Sequence, residues 1–391
     1  MPRMVFLNPW DHLIGPNRYL LEMLRQSPEL ASQAVVVFHE SNNALEEYRD
    51  LGCAVHIWPE IALIHPVFTL RNMTQMFWRH TAGVVKLTRS LRNLNPSLVV
   101  SNTENLWVGA ITARLVGVAH IQIVHSLIFK YRWSHRARLV RLYVKGLSCF
   151  TRQFVAVSQA VKQMLLDQGV KDAKISVVPN GFDLDDIKEK SELPLPQEIK
   201  RLISGRHPIL VCIGRIAPMK GQNVLIEALG KIKHLYPNLT CLLAGRDNTG
   251  GIENVAQFRM RLTNLIEQHK LEDSVHFLGE IDYVPALLQC ADVYVHPSRT
   301  ESFSRVVAEA IICGKPVVCS NLEALRQAVG SQGAIFVPAS DADALAQGIV
   351  KILSDEPLRR SLKLSGQNHV KSNFQSTMTA KLFCSCIVSN L

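Results

Sequence analysis

Residues 296–320 read HPSRTESFSRVVAEAIICGKPVVCS, and the organisation of the whole chain follows from how this stretch folds. It begins where an apolar run, Ala291-Asp292-Val293-Tyr294-Val295, ends, and that run is rich in the β-branched and aromatic residues of buried strands. Polar residues follow. Positions 305–313 then carry apolar residues with a helical rhythm, with Ser304 as the expected N-cap and Gly314 and Pro316 as the stop. Val317-Val318-Cys319 opens the next strand. The unit is strand, loop, helix, strand.

Two carboxylates, Glu301 and Glu309, frame the loop and the helix start. Glu301 falls before the helix, and Glu309 about 7 Å along its axis at about 1.5 Å per residue, so they do not form a one-face pair. They suit the two ends of a long ligand lying across a helix start. The open backbone N–H groups near Ser304 and Arg305, with the helix dipole, favour a phosphate between them. A capped helix with two solvated glutamates is the plainer alternative.

The stretch resembles the signature of the retaining glycosyltransferases of family four. Their signature is a Glu, an aromatic-containing turn, a second Glu, a small-residue helix, then Gly, Pro and Val-Val. Glu301, Phe303, Glu309, Ala310, Gly314, Pro316, Val317 and Val318 match it, while Ser302 and Ser304 stand where family members often have glycine. The resemblance implies the B-type glycosyltransferase fold, an α/β architecture of two facing Rossmann-like domains with an interdomain cleft.

Composition is compatible with that expectation. A chain of 391 residues with 47% apolar content can bury two cores. Nine scattered cysteines without a CxxC pair argue against a disulfide framework or zinc ribbon, and for a reducing compartment. The first residues are too short and wrongly flanked for a signal peptide, and no apolar run approaches the ~20 residues that span a bilayer. The expectation is a cytoplasmic protein, soluble or peripheral on the membrane face.

Net charge is +10, unevenly spread. Between Glu60 and Asp167 the only acidic residue is Glu104, against fourteen lysines and arginines. Phe68, Phe77, Trp78, Phe129, Tyr131, Trp133 and Tyr143 are interleaved with them. Such a surface suits anionic lipid headgroups. An ordinary basic domain with core aromatics is the alternative, and a nucleic-acid partner is not expected because no binding motif accompanies the charge.

Other segments extend the resemblance. After the first strand, Val5-Phe6-Leu7, Gly15 precedes a helix, as in the family's first glycine loop near the donor diphosphate, although Ile14 replaces the other glycine. A plain strand-to-helix turn reads nearly as well. His125 lies just past the strand 121–124, where ligands sit in open α/β sheets. The family has a histidine there facing the donor sugar. Pro179-Asn180-Gly181 resembles its interdomain motif. Asp183-Leu184-Asp185 imitates a DxD metal motif but reads better as a helix cap, and no metal or other cofactor is expected. After the strand 209–213, Gly214-Arg215 and Lys220-Gly221 match the family's Gly-Arg…Lys-Gly loop, which directs two cations at a diphosphate. Glu280 and Asp282 follow the strand 275–279, where the family holds the nucleotide base.

The resemblance thus assigns Glu301, His125, Arg215 and Lys220 to catalysis. It assigns Gly15, Gly214, Glu280, Asp282, Ser302, Phe303, Ser304, Arg305 and Glu309, with Arg215 and Lys220, to the donor. Expected domains are 1–187, a linker at 188–207, 208–372, and a terminal helix in 373–391 packing back on the first domain. The expected partners are a nucleotide-diphosphate sugar (UDP- or GDP-linked) and a glycan or lipid-linked acceptor of cell-surface polysaccharide, lipopolysaccharide or glycolipid synthesis. The rivals are a phosphorylase or inverting transferase on the same fold, a silent sugar-nucleotide-binding subunit, and a nucleic-acid-binding protein.

Overall fold

Apolar runs of three to six residues, each followed by a helix, form two all-parallel sheets. A computed structural model describes residues 3–9, 15–41, 43–61, 70–127, 137–247 and 255–391. The chain divides into two compact units, Met1–Gly181 with Ser376–Leu391, and Phe182–Gln375.

The first unit holds β1 (Met4–Asn8), β2 (Ala34–Phe38), β3 (Ala54–Ile57), β4 (Leu98–Ser101), β5 (Ala119–Val124), β6 (Gln153–Ala156) and β7 (Ile175–Val177). Their order is β3-β2-β1-β4-β5-β6-β7. Side chains of β1 alternate between two buried layers, Met4 and Phe6 in one, Val5 and Leu7 in the other. The helix Ser376–Val388 belongs to this unit, and Phe383 packs its ring 6.4 Å from Phe6 and 6.0 Å from Tyr19.

The second unit holds β8 (Ile209–Ile213), β9 (Thr240–Ala244), β10 (Val275–Gly279), β11 (Val293–His296), β12 (Val317–Ser320) and β13 (Ile335–Val337). Their order is β10-β9-β8-β11-β12-β13. In each sheet the connection reverses beside the first strand, at β1/β4 and at β8/β11, which opens a crevice beyond the strand ends.

The segment expected as a linker, 188–207, is instead built into the second unit. It carries the end of the helix Leu184–Ser191 and the helix Gln197–Ile203. Ile187 and Ile199 are buried in the same core layer as Phe182, Val211 and Tyr294, so a few well-placed apolar residues outweigh the charged composition around them. Among the described residues no helix is long and apolar enough to cross a membrane.

Candidate functional site

The site in the second unit is built where two loops meet, 214–221 after β8 and 297–304 after β11. Gly221 has φ +70°, and a Cβ there would lie 2.1 Å from the Pro297 carbonyl oxygen, so only glycine permits the approach. Arg299 N donates to the Met219 carbonyl at 2.8 Å and ties the loops a second time. Lys220, ending the short turn Pro218–Lys220, thereby reaches Glu301, with Nζ 2.6 Å from Oε1.

The same Oε1 lies 2.7 Å from Nε2 of His296, at the end of β11. Burial alone would raise the Glu301 carboxyl; the Lys220 ammonium and His296 outweigh it and hold the group well below the usual carboxylate range. Burial keeps His296 below its ordinary value, against the opposing pull of Glu301. A neutral imidazole facing a carboxylate carries its proton on Nε2, which leaves Nδ1 to accept. The Tyr294 hydroxyl stands 3.0 Å from Nδ1 and 3.3 Å from the Ile213 carbonyl oxygen, so its one proton is shared between these two acceptors. Ser298 and Ser304 place hydroxyls 3.1 and 3.2 Å from Nε2.

Ser304 does not cap the helix Arg305–Ile312. Its hydroxyl makes no capping bond and turns to His296, with the backbone at φ +71° and ψ +87°, a conformation that suits glycine. Phe303 is likewise not a ligand-facing ring. It is buried between Phe182, 6.3 Å away and stacked, and Phe374, 5.2 Å away and edge-on, so any donor contact there falls to its backbone. Ser302 is half-buried beside Glu301. Arg305 sets its guanidinium 4.7 Å over the Phe182 ring, with Nε 3.8 Å from Oε1 of the buried Glu309 one turn on.

Arg215 is exposed on its loop, and its guanidinium is held below its ordinary value first by partial desolvation and then by Arg246, against the pull of Glu301. Its carbonyl accepts from Gln222 Nε2 at 2.9 Å. The adjoining Gly214 N donates to the Ala244 carbonyl at 2.8 Å, and a Cβ on Gly245 would come within 2.1 Å of the Gly214 oxygen. Arg215, Lys220 and Glu301 therefore share one electrostatic cluster. Glu280 and Asp282 are exposed past β10, and among the described residues their side chains make no hydrogen bond or ion pair with it.

In the first unit His125 follows β5. Its Nε2 donates to Asn102 Oδ1 at 2.8 Å, its backbone N–H donates to Glu104 Oε2 at 3.1 Å, and Tyr19 meets the ring edge-on at 5.1 Å. Burial pushes the imidazole down to about 3, so it is neutral at pH 7, suited to orienting hydroxyls. Asn102 also donates to Asn8 Oδ1 and to the Pro16 carbonyl, while Tyr48 donates to Asn17. Gly15 opens the helix Gly15–Arg25, and no described atom lies within 4 Å of the position a Cβ would take. Its conformation does not demand glycine.

His296, Tyr294, Arg246 and the Asn8–Asn17–Asn102 group escaped the sequence reading. The signal for His296 was its position at a strand's carboxyl end, the same signal that singled out His125. Asp183 caps the helix Leu184–Ser191, its Oδ1 accepting from Asp186 N at 3.1 Å. Among the described residues no cluster of three metal-ligating side chains occurs. The basic and aromatic residues of 128–136, and the side chains of 70–81, lie outside what the structure describes.

A family model described as Glycosyltransferase Family 4 matches residues 14–186, and one described as Glycosyl transferases group 1 matches residues 197–369. The chain is 28% identical over 58% of its length to a phosphatidyl-myo-inositol mannosyltransferase of Mycobacterium leprae, spanning 57% of that protein. It is 27% identical, over 84% of both chains, to the N,N'-diacetylbacillosaminyl-diphospho-undecaprenol alpha-1,3-N-acetylgalactosaminyltransferase of Campylobacter jejuni. Its fold is that of Anabaena Alr3699/HepE, solved in complex with UDP and glucose, at a TM-score of 0.81, 21% identity and 100% coverage of both chains.

Proposed function

The chain belongs to glycosyltransferase family four, whose two models together take in most of it, and from that premise we propose that it is a retaining enzyme that moves a sugar from a nucleotide-diphosphate sugar to a hydroxyl of a glycan or lipid-linked acceptor. The observation that carries the reading is the 2.6 Å contact of Lys220 with Glu301, within electrostatic reach of Arg215. It sets a leaving-group cation against a sugar-binding carboxylate.

The difficult step is breaking the anomeric C–O bond while negative charge grows on the departing diphosphate. Arg215, Lys220 and the backbone N–H groups at the start of the helix Arg305–Ile312 oppose that charge in a water-poor site, the task a metal ion performs in other transferases. Glu301 holds donor sugar hydroxyls, Glu309 the ribose hydroxyls, and neutral His125 positions sugar and acceptor hydroxyls. The acceptor hydroxyl attacks from the face the diphosphate leaves, within a short-lived ion pair, and the anomeric configuration is retained.

The acceptor is proposed to be lipid-linked, the class named in the Campylobacter relative, with the enzyme working at the cytoplasmic membrane face. The helix Ala137–Phe150 exposes Arg138, Arg141 and Lys145 together with Leu142 (67%) and Phe150 (42%), a combination that suits an anionic bilayer. Each such cation contributes about 1 kcal/mol near an anionic surface.

Calorimetric titration with UDP, GDP, ADP and their sugar conjugates, beside Lys220→Ala, tests the donor. One nucleotide should bind, and at least tenfold more weakly in the variant; binding by none of them would overturn the reading. NMR of the product's anomeric centre decides retention. Sedimentation with anionic vesicles decides the membrane contact.

A further inference from the structure

We propose that His296 is the positioning residue that presents Glu301 to the donor sugar: it fixes Oε1, leaves Oε2 for the sugar hydroxyls, and keeps its hold when Lys220 turns toward the diphosphate. The inference rests on the donor reading above and adds to it a residue, a tautomer and a division of labour between the two carboxylate oxygens.

Both protein contacts of Glu301 fall on one atom, Oε1, from Lys220 at 2.6 Å and from His296 at 2.7 Å. Among the described residues Oε2 makes no hydrogen bond or ion pair. A nearly buried carboxylate with one oxygen gripped twice and the other open is arranged to accept from something else, and carboxylate oxygens accept sugar hydroxyls well.

The two grips are not equivalent. Lys220 is a cation on a flexible stem, and a diphosphate carries more charge than one carboxylate, so the ammonium is drawn to the phosphates when the donor binds. His296 is carried on β11 and 3% exposed, burial favours its neutral form, and among the described residues Glu301 is the anion against it. The groups facing its ring are Tyr294 on Nδ1, and Glu301, Ser298 and Ser304 on Nε2, with Lys220 beyond Glu301. Tyr294 is itself fully buried, and its hydroxyl holds the ring from within the core, 3.0 Å from Nδ1 and 3.3 Å from the Ile213 carbonyl oxygen. Through Ser304 the same ring ties the helix start to Glu301, so phosphate-facing and sugar-facing parts of the loop are set by one side chain.

Imidazole nitrogen NMR of the ligand-free protein at pH 7 tests the first half. His296 should be the neutral Nε2–H tautomer; the Nδ1–H tautomer would overturn the proposal. His296→Phe and His296→Gln test the second. The phenylalanine variant should lose at least tenfold in kcat/KM for the sugar nucleotide while binding the free nucleoside diphosphate within threefold of the parent. The glutamine variant, whose amide can donate to Oε1, should recover most of the loss. Equal losses for sugar nucleotide and free nucleotide, or no recovery by glutamine in a variant that melts like the parent, would defeat it. Should His296→Phe not fold, Tyr294→Phe should give mixed tautomers and an intermediate loss. If the parent binds no nucleotide at all, the donor reading falls by itself, and the tautomer still reports on the His296–Glu301 contact.

Discussion

Arg215 and Arg246 stand side by side at the outer ends of β8 and β9. The parallel register pairs Ile213 with Ala244, and beyond the strands Ile216 bridges to Asp247, its N–H donating to the Arg246 carbonyl at 3.0 Å. The two arginines between fall opposite one another, and Arg246 depresses the Arg215 guanidinium after burial has done so. Like charges opposed across paired strands are destabilising, and a polyanion reverses the sign. Pyrophosphate should therefore raise the melting temperature of the parent protein. Arg246→Ala should weaken that binding about tenfold, or about 1.4 kcal/mol. Equal pyrophosphate shifts in parent and variant would remove Arg246 from the anion site.

The Lys220–Glu301 pair makes a prediction with a definite sign. A carboxyl depressed on folding protonates first in the unfolded chain, so its stabilisation is complete above about pH 4.5 and is lost as acid reaches the folded pair. Lys220→Met removes the largest cause holding the Glu301 carboxyl down and leaves His296 alone against burial, so the carboxyl rises relative to the parent, and breaking a buried pair costs about 3–5 kcal/mol at pH 7. Because the variant can protonate Glu301 in its folded state, the gap between parent and variant should narrow from pH 7 to pH 4. Urea unfolding at pH 7, 5 and 4 measures it. A gap independent of pH would mean that the pair contributes no linkage.

The architecture was legible because buried parallel strands are short apolar runs between turn residues. The strands 209–213, 275–279 and 335–337 lie where the sequence put them. Arg215, Lys220 and Glu301 were singled out as charged residues on loops after such strands that resemble the family's motifs, and the structure brings the three together. What escaped depends on meetings that local pattern does not encode. The grip of His296 on Glu301 arises only because the chain doubles back over five residues. Ser304 has the composition of a cap, but the path of loop 297–304 puts its backbone in the left-handed region and its hydroxyl against the ring. Ile187 and Ile199 were hidden among charges, and only the packed core shows them as anchors. Asn8, Asn17 and Asn102 belong to a residue type common in turns, so their convergence needed the fold.

The glycines separate by what surrounds them. Gly221→Ala puts a Cβ 2.1 Å from the Pro297 oxygen at a left-handed φ, so the loops bearing Lys220 and Glu301 must part. The variant should lose about 2 kcal/mol or more of stability, from backbone strain added to the clash. Gly15→Ala meets no described atom within 4 Å and has an ordinary helical start, so its stability should stay within about 0.5 kcal/mol of the parent. Denaturant unfolding of both variants is the check, and a harmless Gly221→Ala would contradict the loop contact.

Ser304 holds a balance that substitution can resolve. Its left-handed backbone costs about 1 kcal/mol relative to glycine. The hydroxyl returns about 0.5 kcal/mol, because Nε2 donates its one proton first to Glu301 at 2.7 Å and Ser304 accepts only a share of it at 3.2 Å. Ser304→Gly removes both, so stability should change by less than about 1 kcal/mol. Ser304→Ala keeps the strain and loses the shared bond, and should be less stable than the parent by about 0.5 kcal/mol. Ser304→Val adds a β-branched side chain to a left-handed residue and should be the least stable of the three. The order glycine, alanine, valine in urea unfolding is the expected outcome. If alanine matched the parent, the serine would owe nothing to His296.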